Sequence, residues 1–141
     1  MAAFLDTNVL VYAFADNSSN SIDKVAIARR LIDELSVRTE IILSAQVLNE
    51  FSANAMRKAS PPLTIHQTSA IVRRLSTQTI VAIDSSLVLL ALQRVQQSRI
   101  SYWDALIVEA AIRSGATTLY TEDLHHGTRY GTLEIRNPFL P

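Results

Sequence analysis

Residues 2–10 read Ala-Ala-Phe-Leu-Asp-Thr-Asn-Val-Leu. Ala2–Leu5 is an apolar run of strand length, and Asp6-Thr7-Asn8 closes it with polar groups. A helix follows at once, carried by Val9, Leu10, Tyr12, Ala13 and Phe14. The same strand-then-helix cadence recurs down the chain. After a polar break at 17–21, the spacing of Val25, Ala28, Leu31, Ile32 and Leu35 predicts a helix over 22–37. Residues 40–43 read as a second strand, and Ser44 as the N-cap of a helix over 45–59. Pro61-Pro62 stops that helix, and Thr64 caps another over 65–76. Residues 79–83 form a third strand, and Asp84 caps a helix over 85–97. Ser101 opens a helix over 102–114, which Gly115 ends in the left-handed conformation. Residues 117–120 are a fourth strand, 121–130 a polar loop, and Leu133–Arg136 a short last strand. Strands separated by helices imply an α/β fold: a three-layer α/β/α arrangement around a central, mainly parallel sheet of four to five strands. Ligands in such sheets bind beyond the carboxyl ends of the strands.

Bulk composition sets limits on function. A chain of 141 residues suits a single domain spanning 1–141. With 48% hydrophobic and 18% charged residues it can bury a core, which argues against disorder. No apolar run approaches the roughly 18 residues of a bilayer span. The N-terminal stretch lacks a basic region and is interrupted by Asp6, so it does not read as a signal peptide, and a cytoplasmic location is expected. The absence of cysteine excludes disulfides, thiolate metal sites and thiol nucleophiles. Thirteen basic residues balance 13 acidic ones. A broad basic surface for nucleic acid is therefore not expected, and a phosphodiester would have to meet bound metal and local arginines.

The acids fall where ligands bind. Asp6 follows the first strand, a position that an N-cap would also explain. Asp123 follows the fourth strand in Thr121-Glu122-Asp123, where a solvated loop acid is the plain alternative. Asp104 shares a helical stripe with Ile107, Val108, Ala111 and Ile112, while Glu109 and Arg113 form a solvent-type pair on the opposite face. A carboxylate on the core-facing stripe needs compensation, either from a capping box with Ser101 or from a metal ion. Glu50 borders the apolar face of Val47, Leu48, Phe51 and Ala55, in the second turn of a helix that also leaves a strand end.

Four clustered carboxylates would repel one another and raise each other's pKa values. Divalent cations reverse that and keep all four ionised. An oxygen-only donor set points to hard ions, Mg²⁺ or Mn²⁺, rather than structural zinc. Such ions polarise a phosphoryl oxygen, activate water and steady the leaving oxygen, which suits in-line hydrolysis of a phosphodiester. Thr7, Asn8 and Thr121 are placed to orient the acids.

These segments resemble those of PIN-domain ribonucleases, most closely the VapC-like toxins of bacterial toxin–antitoxin pairs. The matching pieces are FLDTNVLVYAF (4–14), SAQVLNEF (44–51), SYWDALIVEAA (101–111), LYTEDLHHG (119–127) and NPF (137–139). They occur in family order and span nearly the whole chain. The resemblance implies a PIN-like fold and an endoribonuclease with a metal-binding quartet on Asp6, Glu50, Asp104 and Asp123. It further implies an RNA substrate, homodimers and a cognate antitoxin. The helices flanking Pro61-Pro62 would form an arm for dimer and partner contacts.

Other residues have plainer readings. His125-His126 reads as an exposed loop pair, and Trp103 as a packing residue rather than a base-stacking platform. Arg57-Lys58 and Arg73-Arg74 read as solvated helix faces, and Glu122 as a polar loop residue. A haloacid-dehalogenase-type phosphatase also starts with an Asp at a strand end. It needs a second acid two residues on, where this chain has Asn8. The remaining alternative is a non-catalytic PIN-like module that binds RNA or protein.

Overall fold

In the computed structural model, residues 1–16 and 22–141 are described. The polar break expected at 17–21 lies outside the described residues. The elements run β1 (Ala2–Leu5), α1 (Thr7–Phe14), α2 (Ile22–Arg38), β2 (Glu40–Ser44), α3 (Ala45–Arg57) and α4 (Ile65–Leu75). They continue with β3 (Thr79–Val81), α5 (Ser85–Ser98), α6 (Tyr102–Arg113), β4 (Thr118–Tyr120), β5 (Arg129–Tyr130) and β6 (Leu133–Arg136).

One six-stranded sheet has the order β3-β2-β1-β4-β6-β5. Every pairing is parallel except β5 with β6. Strand β1 lies at the centre, with Ala3 opposite Ile41 on one side and Thr118 on the other. Its consecutive residues Ala3, Phe4 and Leu5 are all buried. Consecutive burial along a strand requires helices on both faces, so the three-layer α/β/α expectation holds. The chain leaves β1 toward β2 and β3, then returns on the other side with β4. That reversal opens a crevice beyond the carboxyl ends of β1 and β4, where Asp6 and Thr121 lie. The Asp6 N–H donates to the Tyr120 carbonyl (3.0 Å), so the two strand ends are bonded where the site begins.

The helix starts follow local chemistry. Ser44, Thr64, Asp84 and Ser101 each accept a backbone N–H in the first turn of α3, α4, α5 and α6, and Thr64 with Gln67 completes a capping box. Helix α6 ends as expected. Gly115 takes φ 79°, and the Gly115 and Ala116 N–H groups bond back to the Ile112 and Ala111 carbonyls. This is the paired closure that a left-handed residue permits. Phe51 is fully buried and anchors α3 in the core one residue after Glu50.

Four expectations give way. The sheet has six strands rather than four to five, because Arg129–Tyr130 folds back on Leu133–Glu134 around Gly131 (φ 64°). A two-residue polar strand carries no periodicity to read. Glu109 and Arg113 do not form a solvent pair. Glu109 is buried and accepts from Arg94 Nε (2.8 Å), while Arg113 donates to both Asp84 oxygens at 3.0 Å. Helix α6 is buried almost all round from Ala105 to Ala111, so its sequence lacks a clean polar face. Trp103 is 63% exposed, edge-on to Tyr102, and not packed inside; Ile112 is also exposed. Among the described residues no helix is long and apolar enough to cross a membrane.

Candidate active site

The four acids come from four parts of the fold, and the charges of Glu50 and Asp123 act on both Asp6 and Asp104. Asp6 leaves the end of β1 and is 4% exposed. Its Oδ1 accepts from the Thr7 N–H (2.7 Å) and its Oδ2 from the Thr121 hydroxyl (2.7 Å). Both donors are neutral, and among the described residues no basic group acts on it. Burial therefore pushes the Asp6 pKa from 3.8 to about 7. The bonds from Thr121 and Thr7 oppose that rise, and the charges of Asp123 and Glu50 add to it.

Glu50 is held at both oxygens. The Thr7 hydroxyl donates to Oε2 (3.1 Å), and Gln46 Nε2 donates to Oε1 (2.7 Å). Asp123 is held by Asn8, whose Nδ2 reaches Asp123 Oδ2 (3.1 Å) and the Thr121 hydroxyl (3.3 Å). The Asp123 N–H also donates to that hydroxyl (3.1 Å), so Thr121 serves β1, α1 and its own loop together. Asp104 stands half-buried in the first turn of α6. Burial raises its pKa, the Ser101 side chain lowers it, and the Asp123 and Glu50 charges raise it further. The Ser101 hydroxyl accepts from the Asp104 N–H (3.1 Å), which makes Ser101 the N-cap.

A cleft of about 480 Å³ opens along this cluster, lined by Thr7, Asn8, Glu50 and Asp123 and running past Asn54 to Lys58. Among the described residues, no three carboxylates stand close enough to ligate one ion as their side chains lie. Each of Glu50 and Asp123 is instead tethered to a neutral amide or hydroxyl. The donor set nonetheless fits a hard cation. It is all oxygen, with one carboxylate buried without a counter-charge among the described residues and two others raising its pKa further.

A family model of the PIN domain matches residues 3–127. The chain belongs to the PIN-domain family. PIN-domain proteins are nucleases that generally use divalent metals. Among curated proteins, none matches the chain. Solved structures are similar in fold. A toxin–antitoxin complex from Klebsiella pneumoniae aligns with TM-score 0.71 and 18% identity over 97% of this PIN domain and 98% of that chain. VapBC2 of Rickettsia felis, bound to a DNA fragment from its promoter, gives 0.65 and 21% over 97% and 98%. VapC20 of Mycobacterium tuberculosis, a toxin that cleaves the sarcin–ricin loop, gives 0.63 and 15% over 83% and 86%.

Gln46 was not singled out from the sequence of this PIN domain, and Glu122 was read there only as a polar loop residue. Gln46 is 4% exposed and bridges Glu50 to the Trp103 carbonyl (3.1 Å), immediately before Asp104. The available signal was a glutamine four residues before Glu50, beside inward-facing Val47. Glu122 is more than a loop residue. It pairs with Lys24 Nζ (2.7 Å) and accepts from the Tyr12 hydroxyl (2.8 Å), while Lys24 lies over the rings of Tyr12 and Phe139. These contacts pin the loop that bears Asp123 to α1, α2 and the C-terminal segment. His126 accepts the Asn137 N–H through Nδ1 (3.0 Å).

Proposed function

We propose that the chain is an Mg²⁺- or Mn²⁺-dependent endoribonuclease, the toxin of a VapBC-type toxin–antitoxin pair, with Asp6, Glu50, Asp104 and Asp123 as its metal-holding, catalytic acids. One observation carries this reading. Asp6 is buried, close to other acids, and served among the described residues only by neutral donors, so a cation from outside the chain supplies the missing charge. Family membership supports nuclease chemistry, and the toxin structures of similar fold support the pairing with an antitoxin.

When bound, the ion polarises a phosphoryl oxygen and lowers the pKa of water. The chain's own residues do the positioning. Thr121 and the Thr7 N–H fix both oxygens of Asp6, Thr7 and Gln46 fix Glu50, and Asn8 aims Asp123. Fixed carboxylates need less reorganisation when charge develops on the phosphate. The chain has no net charge, so affinity for the RNA polyanion rests on the cation and on local groups at the cleft. Homodimers formed through the α3–α4 arm, as the family resemblance implies, complete the proposed assembly. Incubation of the purified protein with structured RNA and Mg²⁺ tests the reading. Cleavage should appear, should stop on chelation, and should be lost in Asp6→Asn and Asp104→Asn. Cleavage that survives both substitutions defeats the assignment. RNA binding without cleavage by the unmodified chain would instead identify a non-catalytic module.

A further inference from the structure

We infer that Gln46 is a positioning residue of the acidic cleft: its side-chain amide fixes Glu50 and yokes it to the turn that presents Asp104. The inference rests on the metal-site reading above and names a residue to which that site answers. Gln46 precedes Glu50 by one helical turn on α3 and is 4% exposed. Its Nε2 donates to two acceptors, Glu50 Oε1 (2.7 Å) and the Trp103 carbonyl (3.1 Å). Neither acceptor can donate, so only the nitrogen can face them; the reversed amide would set oxygen against two oxygens. Gln46 Oε1 is consequently left buried without a hydrogen-bond partner among the described residues. An orphaned buried acceptor is costly, and a core glutamine placed only for packing would be better replaced by leucine or methionine. The cost is tolerated where the orientation does something else.

That something is visible in the connectivity. Glu50 and Asp104 come from different helices, α3 and α6, and lie far apart in sequence. The Gln46 amide is a two-bond link between them: one bond to the carboxylate of Glu50, the other to the backbone of the residue before Asp104. Thr7 holds the second Glu50 oxygen, so loss of Gln46 leaves that carboxylate pivoting on one contact. The spacing of two of the four acids would then be set by repulsion rather than by the fold.

The test uses Gln46→Leu and Gln46→Met, which keep volume and remove both donors. Mn²⁺ affinity is read by electron paramagnetic resonance on the whole chain without RNA, and folding by circular dichroism melts. Both variants should fold, because the orphaned oxygen disappears along with the donors. Mn²⁺ affinity should fall by roughly 10- to 100-fold, the usual cost of losing a group that orients a metal ligand. RNA cleavage should fall at limiting metal and recover at saturating metal, a split that a purely structural lesion does not give. Folded variants with unchanged Mn²⁺ affinity overturn the inference and leave the metal site intact. Two variants that both fail to fold also overturn it, since Gln46 would then be structural. If the unmodified chain binds no Mn²⁺, the metal-site reading itself fails.

Discussion

Two buried carboxylates in this molecule are treated in opposite ways. Glu109, in the middle of α6, is 6% exposed and meets the Arg94 guanidinium at 2.8 Å, with Arg94 also stacked over the Tyr130 ring. Asp6, at the end of β1, is 4% exposed and among the described residues accepts only from a backbone N–H and a hydroxyl. The chain thus neutralises the acid that joins α5 to α6 and leaves the acid at the crevice unneutralised. Glu122 and Asp123 repeat the contrast at adjacent positions: Lys24 pairs with Glu122, while an amide holds Asp123. The fold supplies a cation to Glu109 and Glu122, and the acids given none among the described residues are those proposed to hold the metal.

Substitutions at the two sites should therefore separate cleanly. The largest effect is expected for Asp6→Asn. It should reduce metal-dependent RNA cleavage by more than about 100-fold, since displaced supporting residues alone cost about 10- to 100-fold. The same change should raise the melting temperature at neutral pH without metal, because it removes a buried acid that lacks a counter-charge. A lower melting temperature would break the contrast. Next, Arg94→Met should destabilise the chain by about 3–5 kcal/mol in denaturant unfolding, leaving Glu109 buried and unpaired, while metal affinity stays unchanged. The paired change Arg94→Met with Glu109→Leu should recover most of that loss.

A pH series sharpens the same point. The folded pKa of Asp6, about 7, exceeds its ordinary 3.8, so between those values the folded chain holds a proton that the unfolded chain has released. Stability from this group is complete at the acid end and is lost as pH rises toward 7, by at most about 4 kcal/mol. Mg²⁺ or Mn²⁺ should restore it most strongly above pH 7, where Asp6 is ionised. Metal-free unfolding curves that show no such fall would contradict the environment described for Asp6. The smallest effect is expected for Thr121→Val, which strips one donor from Asp6 Oδ2. A loss of about 1–3 kcal/mol is expected, together with metal binding that begins at a higher pH.

Much of this was legible in the sequence, for physical reasons. Strand β1 and the helix caps at Ser44, Thr64, Asp84 and Ser101 are local matters, and local chemistry decides them. The positions of Asp6 and Asp123 after strand ends, and of Glu50 and Asp104 in the first turns of α3 and α6, were legible for the same reason. Pairings between distant residues were not. Nothing at Glu109 announces Arg94 on the preceding helix, so a helix buried almost all round passed for one with a solvent face. Strand β5 is too short and polar to show a period. Nothing local marks Gln46, because its second acceptor, the Trp103 carbonyl, lies 57 positions away.

The most direct test is a crystal of the unmodified protein grown with Mn²⁺ and measured for anomalous scattering. If the unneutralised acids await a cation, one strong peak should sit between Asp6 and Asp104 with Glu50 or Asp123 alongside, at roughly 2.0–2.3 Å from carboxylate oxygens. An empty crevice at saturating Mn²⁺, or a peak that none of these four side chains touches, would contradict it.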